Sequence, residues 1–143
     1  MTKKEFTIER VFNARRKDVW RAITEKDLMR QWYFDLPEFK PEVGFTFEFI
    51  GGEEGGTQYL HHCEITEVID EMKLTHTWSY VGYKGISYVT FELFTEGEKT
   101  KLILTHSGIE TFPADIADFA FHNFEKGWNH IVNTSLKDFL ENK

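Results

Sequence analysis

Three histidines pose the first chemical question. His61, His76 and His106 each fall in a segment where apolar and polar residues alternate, and each shares a face with apolar neighbours. Imidazoles arriving from separate strands could hold a divalent metal together with a carboxylate such as Glu48, or could transfer a proton. The spacing argues against a metal. There is no His-x-His pair and no His-Glu-x-x-His run, and alternation turns Glu48 and His62 to the opposite side. The three are therefore read as satisfied core or pocket histidines. Ser107 follows His106, yet no nucleophile elbow or oxyanion loop surrounds it. Cys63, the single cysteine, rules out an internal disulfide and reads as a buried, inert thiol. No catalytic residue, metal ligand or cofactor is assigned.

The aromatic residues carry more information. Fourteen Phe, five Tyr and four Trp account for 16% of 143 residues. Trp32, Phe34, Phe45, Phe47, Tyr59, Trp78, Phe91, Phe121, Phe124 and Trp128, joined by His61 and His106, are the candidate lining of an internal cavity for a small hydrophobic molecule. Within that set Tyr59, His61, Trp78 and His106 offer polar handles for a carbonyl or hydroxyl. The alternative is that the rings fill a solid core.

The elements that must position these residues are legible from periodicity. Phe121, Phe124, Trp128, Ile131, Val132, Leu136, Phe139 and Leu140 recur at steps of three and four, which predicts one amphipathic helix over 114–140. Pro113 suits its first turn, Asp115 and Asp118 open it, and Lys137 lies near its end. Gly127, in mid-helix, is read as allowing close packing against a strand in preference to ligand access.

Upstream, alternation predicts six strands: 6–12, the run of Phe45, Phe47 and Phe49, the run of Tyr59, His61, Cys63 and Ile65, then Met72, Leu74, His76, Trp78 and Tyr80, then Val89, Phe91 and Leu93, then Leu102, Leu104 and His106. Two short helices follow the first strand, the first capped by Asn13, the second opened by a Thr24–Asp27 capping box. The glycines and glutamates of 51–56 form a hairpin turn without nucleotide-loop order. The expectation is an α+β fold: a curved antiparallel six-stranded sheet, two short helices, and a long C-terminal helix across the concave face.

Composition bounds the function. The length predicts one domain spanning 1–143, and 41% apolar with 29% charged residues marks it as globular. A net charge of −7 argues against nucleic acid. The amino terminus shows no apolar signal segment and no stretch reaches the length of a membrane span, which predicts a cytoplasmic protein.

Val19-Trp20-Arg21-Ala22-Ile23-Thr24, followed by Trp32, resembles the signature of the family of activators of heat-shock-protein-90 ATPase, within the START-like helix-grip superfamily. The resemblance continues through Thr77-Trp78, through 101–108, and through Gly127-Trp128 with Ser135-Leu136. It implies a helix-grip fold with a hydrophobic cavity between sheet and terminal helix. Superfamily members bind lipids, sterols and polyketides, some catalyse cyclisation, and the namesake stimulates a chaperone's ATPase. The resemblance implies no single activity; with the aromatic set, the expectation is a binder of a small hydrophobic, lipid or polyketide-like molecule first, a heat-shock-chaperone partner second, and a cyclase or hydratase third.

Overall fold

The computed structural model describes residues 4–33, 36–52 and 55–141. The alternating segments become β1 (Glu5–Phe12), β2 (Thr46–Gly51), β3 (Tyr59–Ile69), β4 (Lys73–Tyr80), β5 (Ser87–Glu96) and β6 (Lys99–Ser107). They form one antiparallel sheet in the order β1-β6-β5-β4-β3-β2, a meander from β2 to β6 with β1 added beside β6. Alternation has one consequence here: Ile8, Phe47, Ile65, Leu74, Phe91 and Leu104 are all buried on one face. His62 and Glu48 face the other way, where the imidazole Nδ1 and the carboxylate Oε2 lie 2.8 Å apart. A shift of register between Ile65 and Glu67 bends β3. Met72 departs from the expected inner row. It is 48% exposed, because its N–H closes a turn onto the Ile69 carbonyl and β4 starts only at Lys73.

α1 (Arg16–Thr24) buries Val19, Trp20, Ala22 and Ile23, and α2 (Lys26–Trp32) buries Met29 and Trp32. The Trp32 indole N–H donates to the Ala22 carbonyl at 2.9 Å and ties the two helices into a V. Neither expected cap forms. α1 begins after Arg15, because the stretch before it is tied elsewhere: the Asn13 N–H donates to Glu141 and the Ala14 carbonyl accepts from Thr100. Thr24 still belongs to α1, its hydroxyl turned back onto the Trp20 carbonyl at 2.7 Å, so Glu25 precedes α2 without a side-chain cap.

The terminal helix starts later than periodicity suggests. Two short 3₁₀ turns, Ile109–Thr111 and Ala117–Phe119, lie ahead of it, the second in the segment where periodicity places its opening turns. α3 then runs over Phe121–His130, continues as a π-helix over Ile131–Leu136, and ends in α4 (Lys137–Glu141). The reason lies in Phe119. Continued as an α-helix it would sit about 140° round from Phe124 and face water. The turn instead buries it to 5% exposure, stacked on Tyr80 at 4.4 Å.

The π-helical stretch has a matching cause. Trp128, Val132, Leu136 and Leu140 are all buried at four-residue steps, which drift about 40° each on an α-helix. The wider π turns take up that drift and hold the row against the sheet. No helix among the described residues is long and apolar enough to cross a membrane.

Candidate functional site

Trp78 is the centre of the interior. The strand period brings it inward between His76 and Tyr80, and all three interior histidines pack on it, with ring centroids at 5.0 Å for His61, 6.3 Å for His76 and 5.8 Å for His106. From the helix side Trp128 approaches it at 5.4 Å.

The hydrogen bonds define what His106 can do. An indole N–H only donates. Trp128 Nε1 donates to His106 Nδ1 at 3.0 Å, which leaves the imidazole proton on Nε2. His106 Nε2 therefore donates to Ser87 Oγ at 2.7 Å, and Ser87 Oγ donates to the Trp78 carbonyl at 3.0 Å. The Ser87–His106 contact resembles a nucleophile with its base, but the proton runs the wrong way and both residues are fully buried. Burial, reinforced by the nearby His76, holds His106 at a pKa of about 3. Burial likewise lowers His76 to about 4, with Nδ1 donating to the Thr77 carbonyl at 2.8 Å, and lowers His61 to about 4, with Nδ1 donating to the Tyr59 carbonyl at 3.0 Å. All three are neutral imidazoles, His61 and His76 bonded to nearby carbonyls and His106 to Trp128 and Ser87, and among the described residues no three metal-ligating side chains converge. Cys63 is buried, and that burial pushes its thiol pKa up.

Beside this cluster lies an open cleft of about 580 Å³ between β2–β4 and α3. Its walls are Tyr59, His61, Trp78, Tyr80, Phe119, Phe124 and Trp128; Gly51 at the end of β2, Gly52, Gly56 and Thr57 beyond it, and Asp118, Asn123, Lys126, Gly127, His130 and Ile131 line the rest. The Tyr59 hydroxyl donates to Asp118 Oδ2 at 2.6 Å. That bond, followed by burial, raises Tyr59 to about 12, and it fastens the 3₁₀ turn carrying Phe119 to the mouth. The Trp78 indole N–H donates to the Tyr80 hydroxyl at 2.9 Å. A few fixed polar atoms thus interrupt a predominantly aromatic wall, and the volume falls within the range of small-molecule sites.

Of the candidate residues, the structure brings Tyr59, His61, Trp78, Phe124 and Trp128 together around this cleft. Trp32, Phe47 and Phe91 meet at the other end of the interior, around a void of about 10 Å³ that scarcely admits one water. His106 stands behind Trp128, Phe121 packs edge-on against Phe6, and Phe45 packs edge-on against Phe39. Phe34 lies outside the described residues. Sequence reasoning passes over Tyr80, Asp118 and Phe119 as site residues, and reads Gly127 as a packing position in preference to ligand access. Tyr80 has a signal, the alternation it shares with Trp78. Asp118 and Phe119 have none, because the helical period conceals the turn that aims them.

A single terminal helix gripping one face of a six-stranded antiparallel sheet, with an aromatic cleft between them, defines the helix-grip class of the START-like superfamily. The sequence matches the profile of the family described as "Activator of Hsp90 ATPase homolog 1-like protein" over residues 13–141, and the chain belongs to that family. Mll3558 protein from Rhizobium loti is similar in structure, with a TM-score of 0.82 at 20% identity, covering 97% of this chain and 98% of that one. Protein MLL2253 from Mesorhizobium loti gives 0.80 at 26% identity, with 98% of each chain covered. Protein BH1534 from Bacillus halodurans gives 0.75 at 26% identity, covering 99% of this chain and all of that one. Among functionally curated proteins none matches the sequence.

Proposed function

We propose that this protein binds a small, largely apolar molecule, of lipid or polyketide-like character, in the cleft between β2–β4 and α3. The observation that carries the reading is the cleft itself: about 580 Å³ walled by Tyr59, Trp78, Tyr80, Phe119, Phe124 and Trp128, where the opposite end of the same interior is filled. Rings supply the apolar contact area, and the neutral His61 imidazole and the Tyr59–Asp118 pair supply orientation for a carbonyl or hydroxyl. Heteronuclear chemical-shift titration with fatty acids, sterols and flavonoid-like aromatics tests it. Saturable shifts at Trp78, Phe124 and Trp128 are expected; shifts confined to surface residues count against the reading.

The family's description motivates a second reading, stimulation of a chaperone ATPase through the protein's surface. A pull-down with the chaperone followed by an ATPase assay decides it, and absence of stimulation at saturating protein removes it.

A further inference from the structure

Glycine in the interior of a helix is costly, because its backbone loses more freedom than alanine's on folding. Such a residue ordinarily has a local reason. Gly44, Gly55, Gly82, Gly85, Gly97 and Gly108 all take positive φ, and at Gly52 a Cβ would meet the Thr57 carbonyl oxygen. Gly127 has neither reason. It lies within α3 at helical φ, and a Cβ built on it meets nothing within 4 Å. The space it leaves is not the sheet, against which its mid-helix position predicts close packing, but open, exposed space at the rim of the cleft, next to Trp128.

We propose that Gly127 is a specificity-determining residue: the volume of its missing side chain is room that a bulky guest occupies, so it sets the upper size of ligand the cleft accepts. The inference rests on the binding reading above. It accounts for a helix that forgoes stability at one position where neither the backbone nor its packing asks for it.

A matched pair of dyes tests this, anilinonaphthalene sulfonate and its doubled form, bis-anilinonaphthalene sulfonate, which share their chemistry and differ in size. Gly127→Ala is expected to raise Tm by about 3 °C, since alanine is the better helix former and its methyl meets open space. Gly127→Leu is expected to fold, and to lose less affinity for the single dye than for the doubled one. Its affinity for the doubled dye should fall by about tenfold or more, the cost of forcing extra atoms into an occupied space.

Four outcomes overturn the proposal. A lower Tm for Gly127→Ala would show that packing needs the glycine, and unfolding of Gly127→Leu would show that the space is not open. Equal binding of both dyes by Gly127→Leu would sink the sizing role alone. Failure of the unaltered protein to bind either dye in contact with its tryptophans, seen as unquenched fluorescence, would remove the binding reading and this inference with it.

Discussion

His106 shows how one side chain can carry the chemistry of catalysis and do none. Its neighbours, an indole donor on one nitrogen and a hydroxyl on the other, fix a neutral tautomer in a place water does not reach. The consequence is a stability that depends on acid. His61 and His76 have folded pKa values of about 4 and His106 of about 3, all below the ordinary 6.5. Between those values the unfolded chain binds more protons than the folded one. Stability is therefore full above about pH 6.5 and is lost as the pH falls towards 4. Each imidazole that only the unfolded chain protonates costs about 1.4 kcal/mol for every pH step of one, so the three together cost several kcal/mol. Urea denaturation at a series of pH values should show the decline. Ring-proton NMR should show all three imidazoles neutral in the folded protein at pH 6; a protonated signal from any of them there contradicts the account.

The terminal helix is the element on which the rest depends. Its buried row of Trp128, Val132, Leu136 and Leu140 meets the sheet only because the π-helical turns correct the drift of a four-residue repeat. Leu136 is completely buried at the end of that stretch. Leu136→Ala should cost about 2–5 kcal/mol, the range for a leucine removed from a packed core. Lys126→Ala, on the exposed side of the same helix, should stay within about 0.5 kcal/mol. Chemical denaturation of the two variants checks the contrast, and similar losses at both sites would show the row is not what holds the helix down.

Across the molecule as a unit, the cleft belongs to no single element. β3 and β4 supply Tyr59, His61, Trp78 and Tyr80, the 3₁₀ turn supplies Phe119, and α3 supplies Phe124 and Trp128. A ligand held there bridges sheet and helix and must stabilise their joint folding. At a free concentration about a hundredfold above Kd it should contribute about 2.7 kcal/mol, which raises Tm by several degrees. Differential scanning fluorimetry with any compound that shifts the Trp78 and Trp128 resonances checks this. Binding without a rise in Tm would place the ligand elsewhere.

Sequence alone dictates the parts that repeat. Period-two alternation puts His61, His76, His106 and Trp78 on one face and His62 with Glu48 on the other, and the three–four spacing from Phe121 onward declares an amphipathic helix. Burying those faces together leaves few architectures, so the sheet and its terminal helix are legible. Contacts between distant segments decide what has no period. The helix begins at Phe121 because Phe119 is worth more stacked on Tyr80 than turned to water. Asp118 reaches Tyr59 across 59 residues of chain, a distance no local pattern encodes. Whether aromatic rings fill an interior or leave it open is settled by how they meet. They close it around Phe47 and Phe91, and they leave it open beside Gly127, where the missing side chain can be recognised as space only once its surroundings are known.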